Sequence, residues 1–233
     1  MSTGDLGIIW EKSFGSLNSY SDTPYEVKVA SDGSIYVVGA AGGDFNNQSL
    51  NTNPGGTDAF IIKLDSDGNE QWTKFYGLSS ETGYRYYNSR SLSLDSNGNI
   101  YLLGEQSGGG INGVSDIGGG DAFVIKLDSD GNEQWTRMYG STYYERARSL
   151  KISSDGSVYI AGTTQGPLVG DVSEWHGSQG GDAYVIKLDS DGNEQWKKMY
   201  GSSSVDFGNS LTIDSNGFIY LVGTAGGEIN GEP

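Results

Sequence analysis

Apolar residues occur along the chain in short runs that are separated by polar turns, without the spacing of an amphipathic helix. In LSLDSNGNIYLLGE at 92–105, two runs rich in aliphatic and aromatic residues lie on either side of an acidic turn that contains glycine. Such paired runs are typical of β-hairpins. Aspartate is a preferred residue at the first position of such a turn, and the glycine can adopt the positive φ that closes a type I turn with a bulge. The pattern predicts an all-β protein.

A block of twenty residues recurs at a long period. It is DAFIIKLDSDGNEQWTKFYG at 58–77, DAFVIKLDSDGNEQWTRMYG at 121–140 and DAYVIKLDSDGNEQWKKMYG at 182–201. Trp10, Trp72, Trp135 and Trp196 follow the same period, with spacings of 62, 63 and 61 residues. Each repeat also contains a hairpin like that at 92–105, which gives four strands, A to D. Four-stranded units of fixed length predict a β-propeller, and an open β-solenoid is the alternative.

The repeat resembles the SBBP family of bacterial β-propeller repeats. The resemblance is carried by a glycine-rich loop followed by the block at 121–140 and its two copies. The segment at 92–105 and its counterparts belong to the same repeat and are also similar to NHL repeats. The resemblance covers nearly the whole chain and implies the propeller fold. It implies no particular activity, because SBBP repeats occur in surface and secreted proteins of mostly unassigned role.

The period divides the chain into about four blades of 61–63 residues within one propeller domain or segment, 1–233. The predicted parts are a lone outer strand (6–14), blade 1 (25–77), blade 2 (90–140), blade 3 (148–201) and a partial blade 4 (210–233). Three interpretations stay open: a fragment of a longer propeller, an incomplete four-bladed ring, or several chains that combine their blades. A homo-oligomer through open blade edges is therefore one hypothesis.

Composition restricts the partners. The 233 residues carry a formal net charge of −16, which disfavours nucleic acid and anionic membrane surfaces as partners. No apolar run approaches the roughly 18 residues of a membrane span, and the N-terminal residues do not form a signal peptide. There is no cysteine, so disulfides and thiolate metal sites are excluded. We expect no membrane insertion, and an extracellular, cell-surface or virion location is the working hypothesis.

A four-stranded meander sorts its loops onto two faces. The A–B and C–D turns lie on one face and are acidic. DSDGNE offers oxygens at its first, third and fifth positions, as Ca²⁺ loops do, but its glycine is fourth where such loops need it sixth. Turn formation is therefore the preferred interpretation, Ca²⁺ is the only cofactor considered, and no other metal is expected. The weak candidate Ca²⁺ ligands are Asp65, Asp67, Asp128, Asp130, Asp189 and Asp191.

The D–A and B–C loops form the opposite face, where the repeats differ from one another. Variable loops on a rigid scaffold commonly bind ligands, and tyrosine and arginine are frequent in binding hot spots. The alternative is that these side chains pack between neighbouring blades. The candidate residues for ligand or partner binding are Tyr84, Arg85, Tyr86, Tyr87, Arg90, Tyr143, Tyr144, Arg146, Arg148, Trp175 and His176.

Three functions remain in consideration. The preferred one is a non-catalytic interaction or structural module that binds a protein or glycan partner through the D–A/B–C face. The first alternative is a lectin-like glycan binder with one site per blade. The second is a propeller hydrolase that uses a carboxylate pair, although no pair is marked and no catalytic residue is assigned. Nucleophilic catalysis is not expected, because the single histidine, His176, lies in a glycine-flanked loop and no G-x-S-x-G elbow is present.

Overall fold

The computed structural model describes residues 10–15, 22–43, 45, 56–77, 85–168 and 181–229. These ranges form fourteen strands. Blade 1 comprises β1 (Thr23–Val29), β2 (Ile35–Ala41), β3 (Asp58–Leu64) and β4 (Glu70–Tyr76). Blade 2 comprises β5 (Tyr87–Leu94), β6 (Ile100–Gln106), β7 (Ala122–Leu127) and β8 (Glu133–Tyr139). Blade 3 comprises β9 (Glu145–Ile152), β10 (Val158–Thr164), β11 (Asp182–Leu188) and β12 (Glu194–Tyr200), and blade 4 comprises β13 (Phe207–Ile213) and β14 (Ile219–Thr224).

Each blade is an antiparallel meander. The first three sheets have their four strands in chain order, and β13 and β14 form a two-stranded sheet. The prediction of an all-β propeller built from four-stranded blades is confirmed. The predicted lone strand at 6–14 does not form a ladder over its described residues, 10–14. Trp10 instead packs on Gly68 in the C–D turn of blade 1.

The hairpin turns have the predicted chemistry. In the C–D turn of blade 2, Gly131 has a φ of 83°, and its amide donates to the carbonyl of Asp128 at 3.0 Å. The Oδ1 atom of Asp128 accepts hydrogen bonds from the amides of Asp130 and Asn132, at 3.0 and 2.8 Å. The aspartate thus satisfies the backbone donors of the turn, while the glycine supplies the left-handed conformation.

The hydrophobic core lies between blades. Strand A of each blade contacts strand A of the next: β1 with β5, β5 with β9, and β9 with β13. One face of a blade packs on the opposite face of the following blade, as Tyr101 and Leu103 of blade 2 pack with Leu150 and Ile160 of blade 3. The D strand also contributes, because Trp135 Nε1 donates to the carbonyl of Ser190 in the next C–D turn at 3.2 Å.

The terminal described blades have uncovered apolar positions. Tyr220 and Val222 in blade 4 are 56% and 62% exposed, although their counterparts in blade 2, Tyr101 and Leu103, are at most 1% exposed. On blade 1, Val27 is 59% exposed, whereas its counterpart Leu92 is fully buried. Burial of a repeat position therefore depends on whether a neighbouring blade covers it. The described ranges contain no helix with the length and hydrophobicity needed to cross a bilayer.

Candidate functional site

A cavity of about 440 Å³ opens on the D–A/B–C face at the seam between blades 2 and 3. Its walls come from the loops before β5 and β9 and from the ends of β6 and β10. Binding sites for small molecules are typically concave and of a few hundred Å³, lined by aromatic side chains and a few polar groups. The lining residues are Tyr86, Asn88, Glu105, Gln106, Ser107, Tyr144, Glu145, Arg146 and Gln165.

Backbone pairing between blades positions the two tyrosines. Tyr86 forms a parallel bridge with Thr57 of blade 1, and Tyr144 forms the equivalent bridge with Gly120 of blade 2. A Cβ atom at Gly120 would lie 2.8 Å from Cδ1 of Tyr144, so the glycine provides the space in which this ring lies. Tyr86 and Tyr144 remain 45% and 54% exposed. Two rings at equivalent repeat positions therefore line one cavity with open aromatic surface.

The end of β6 supplies hydrogen-bond acceptors. Gln106 is 3% exposed, and its Nε2 donates to Oδ2 of Asp121 at 3.0 Å. Its Oε1 is buried and has no hydrogen-bond partner. Glu105 pairs through Oε1 with Arg90, whose Nε donates at 2.9 Å, while Oε2 is buried without a partner. Two buried acceptors in neighbouring residues thus lack donors within the described part of the chain.

Glu145 forms the wall on the blade 3 side. The side chain is 3% exposed and accepts hydrogen bonds from the amide and hydroxyl of Ser141, at 2.8 and 2.6 Å, and from the hydroxyl of Thr164 at 2.8 Å. Burial raises the pKa of Glu145 to about 7, against the hydrogen bonds from Ser141 and Thr164, which act to lower it. Burial likewise raises the pKa of Asp121. Both carboxyl groups therefore retain protons to higher pH than exposed carboxylates do.

The polar chemistry of this cavity is specific to one blade. Glu105 and Gln106 follow the glycine of strand B, and the counterparts in the other blades are smaller. The equivalent pairs are Ala40 and Ala41 in blade 1, Thr163 and Thr164 in blade 3, and Thr224 and Ala225 in blade 4. The carboxylate and amide acceptors therefore occur together once in the four repeats, in contrast to the one-site-per-blade arrangement of the lectin alternative.

Some sequence-predicted candidates are placed where they stabilise the fold. Tyr87 is 1% exposed within the core between blades 1 and 2, and its hydroxyl donates to the carbonyl of Gly110 at 3.1 Å. Tyr87 is therefore unavailable to a ligand, because it is packed between blades. Arg85 donates through Nη1 to the carbonyl of Gly108 in the B–C loop.

The remaining candidates are divided between the cavity and its surroundings. Arg90 stacks on Tyr25, with 4.3 Å between the guanidinium carbon and the ring centroid, and reaches the cavity only through Glu105. Tyr143 is 50% exposed but does not line the cavity, and Arg148 is half-buried. Tyr86, Tyr144 and Arg146 are the predicted residues that the cavity brings together. Tyr84, Trp175 and His176 lie outside the described residues.

The candidate Ca²⁺ ligands serve the hairpin turns. Asp65, Asp128 and Asp189 each accept two backbone hydrogen bonds through Oδ1 and one from an asparagine side chain through Oδ2. In each case the asparagine bonds hold the pKa of the carboxyl group below its usual value. Asp67, Asp130 and Asp191 occupy the third turn position and donate their amides to these carboxylates. Across the described residues, no three histidine, aspartate or glutamate side chains form a group that could hold a metal ion.

The class of protein is defined by this fold: a β-propeller assembled from sequence repeats. Residues 195–230 match the family model of the SBBP beta-propeller repeat, which confirms the resemblance inferred from the sequence. The chain is 31% identical over 152 residues to the regulatory protein FlaEY of Caulobacter vibrioides. The matching region is 61% of this chain and spans 16% of that relative.

The solved structures that align with the chain have low sequence identity to it. A luciferin-regenerating enzyme aligns over 91% of this chain and 72% of its own, with a TM-score of 0.40 and 15% identity. A rhamnogalacturonan lyase aligns over 81% of this chain and 42% of its own, with a TM-score of 0.28 and 15% identity.

Proposed function

We propose that this propeller is a non-catalytic interaction module that binds a protein or glycan partner through its D–A/B–C face. The observation that carries the proposal is the cavity at the seam of blades 2 and 3, which combines the partly exposed Tyr86 and Tyr144 with Glu105 and Gln106, whose buried acceptors have no donor among the described residues. The opposite face contrasts with it, because the carboxylates of Asp65, Asp128 and Asp189 there accept turn hydrogen bonds. A function in regulation, as in the name of the FlaEY relative, would fit a binding role.

The proposed setting is outside the cell, at the cell surface or on a virion. It is supported by composition, since a strongly negative and cysteine-free chain is soluble and independent of the redox state of its compartment. Partners are expected to be protein or glycan rather than nucleic acid.

The test compares the two faces. The chain is screened against an oligosaccharide array and a displayed peptide library, and each ligand recovered is then measured against two variants. Tyr86→Ala/Tyr144→Ala/Arg146→Ala alters the D–A/B–C face, and Asp67→Asn/Asp130→Asn/Asp191→Asn is the control on the opposite face. We expect binding to fall at least about tenfold in the first variant and to stay within about twofold in the second. Ligands that respond only to the second variant would overturn the proposal.

A glycoside hydrolase is the second candidate. It is favoured by two carboxyl groups in one cavity, Glu105 and Glu145, of which Glu145 has a pKa of about 7 that suits a general acid. Incubation of recovered oligosaccharides with the chain, followed by mass spectrometry, separates the two functions. Intact sugars support the binding module. Cleavage that is lost in Glu145→Gln would replace it with the hydrolase.

A further inference from the structure

Two residues that line the blade 2–3 cavity carry buried acceptor atoms without hydrogen-bond partners. Oε1 of Gln106 and Oε2 of Glu105 are buried, belong to residues that line the cavity, and accept no hydrogen bond from the residues that the structure describes. A buried acceptor without a donor is costly, and most such atoms in proteins are satisfied by a ligand, water or another group. A ligand with several hydrogen-bond donors would therefore suit a cavity lined by these two residues.

The charges around the cavity disfavour an ionic ligand. Glu105 is already neutralised by Arg90, and Arg146 supplies a second guanidinium group at the cavity wall. A cation would face Arg146 at the wall, whereas an anion would face the unpartnered acceptors of Glu105 and Gln106. Glu145 also lines the cavity, and its carboxyl group accepts hydrogen bonds from Ser141 and Thr164. Asn88, Ser107 and Gln165 are uncharged and can both donate and accept.

The walls of the cavity include two tyrosine rings, which can pack against the apolar face of a ring in a ligand. Tyr86 and Tyr144 are about half exposed, and their backbones are fixed by the bridges to Thr57 and Gly120. Tyrosine offers a large rigid contact at a small entropic cost and can also use its hydroxyl. A pyranose ring has hydroxyl groups at its edge and C–H groups on its faces, so its chemistry matches both the acceptors and the rings.

We propose, building on the binding function above, that this cavity takes a neutral saccharide, with one site per chain. Its hydroxyl groups donate to Glu105 and Gln106, and a sugar ring packs on Tyr86 or Tyr144. The volume of about 440 Å³ falls within the range of small-molecule sites. The single site follows from the smaller side chains that replace Glu105 and Gln106 in the other repeats.

Binding to neutral, anionic and amine-bearing probes tests the ligand class. The chain is titrated calorimetrically with cellotriose, maltotriose and mannotriose, with the corresponding glucuronic acid oligomers, and with glucosamine and spermidine. We expect at least one neutral oligosaccharide to bind with a stoichiometry near one per chain. Tyr86→Ala/Tyr144→Ala should weaken this binding at least about tenfold.

Acceptor variants and a matched control connect binding to the cavity. Gln106→Met and Glu105→Gln each remove an unpartnered acceptor and should weaken binding about tenfold. Tyr143→Ala is the control, because Tyr143 is on the same loop as Tyr144 and is 50% exposed but lies outside the cavity. The affinity of this variant for the saccharide should stay within about twofold of that of the native chain. Thermal unfolding of every variant identifies loss of folding, and the two exposed tyrosines can be replaced without disturbing the core.

The failures of the two proposals are distinguishable. Saccharide binding that is unaffected by all cavity variants, or a stoichiometry of three or four per chain, would overturn the single neutral-sugar site. Binding of spermidine or glucosamine in place of neutral sugars, lost in Tyr86→Ala/Tyr144→Ala, would overturn the ligand class while the face proposal stands. If a peptide ligand depends on this face and no sugar binds, only the saccharide proposal fails. Ligands that bind the opposite face overturn the proposed function itself.

Discussion

The carboxylate of Asp121 fills the space that a side chain at Gly140 would need. A Cβ atom built at Gly140 would lie 1.9 Å from Oδ1 of Asp121. The same relationship joins Asp58 with Gly77, at 1.9 Å, and Asp182 with Gly201, at 2.3 Å. The recurring block therefore begins and ends with two residues that touch in space, where strand C starts and strand D ends. This contact explains why aspartate and glycine repeat together.

Replacing Gly140 with alanine should destabilise the protein by about 1–3 kcal/mol, because the added methyl group overpacks a buried site. Asp121 cannot move freely, since its Oδ2 accepts hydrogen bonds from Ile117 and Gln106. Urea denaturation of Gly140→Ala, Asp121→Ala and the double variant measures the effect. The double variant should lose less stability than the two single losses together, because the clash with the Asp121 carboxylate is absent. Simple additivity would contradict the contact.

Fold and site were predictable from the sequence to different degrees. The hairpin predicted at 92–105 corresponds to β5 and β6, since its paired apolar runs and the Asp95–Gly98 turn between them are local signals. The cavity is not local: it joins the end of β6 to the start of β9, and only the inter-blade packing sets their proximity. Glu105 and Gln106 were missed for this reason, although a comparison of the four B strands shows them as departures from small residues.

The arginines show a different limit of sequence interpretation. The same properties that place arginine at binding surfaces also favour ion pairs within a fold. Arg90 pairs with Glu105 and Arg85 binds the Gly108 carbonyl, whereas Arg146 lines the cavity. Glu105 is 15 residues from Arg90 in the sequence, and Gly108 is 23 residues from Arg85. No local sequence pattern therefore distinguishes the roles of the three arginines.

Alanine substitutions at equivalent positions of two blades should lower the free energy of unfolding by amounts that depend on how deeply each position is buried. Leu103 is fully buried between blades 2 and 3, whereas its counterpart Val222 is 62% exposed. Leu103→Ala is expected to lower the free energy of unfolding by about 2–5 kcal/mol, and Val222→Ala by less than about 0.5 kcal/mol. Chemical denaturation of both variants provides the comparison. A large loss in Val222→Ala would mean that another surface covers blade 4 in solution.

Added Ca²⁺ should not stabilise the acidic turns specifically. Asp65, Asp128 and Asp189 already accept hydrogen bonds from the turn through both carboxylate oxygens, so a metal would have to displace these bonds. Thermal unfolding in millimolar CaCl₂ and MgCl₂ should give equal, small shifts of Tm. A larger shift with Ca²⁺ that disappears in Asp130→Asn would contradict this expectation and support the calcium hypothesis.

The contribution of Glu145 to the free energy of unfolding should fall as the pH rises from about 4.5 to about 7. Burial raises the pKa of Glu145 from 4.5 to about 7 in the folded state, so in this interval the folded chain holds a proton that the unfolded chain has released. Protonated Glu145 therefore favours folding near pH 4.5, and this contribution of about 3 kcal/mol to the free energy of unfolding is lost by about pH 7.

The Glu145→Gln variant tests this expectation, because glutamine has a similar shape but does not titrate. The difference in unfolding free energy between the native chain and this variant should decrease across the interval and be constant above it, as followed by urea denaturation at pH 5, 6, 7 and 8. A difference that does not depend on pH would show that Glu145 is ionised in the folded chain at pH 5.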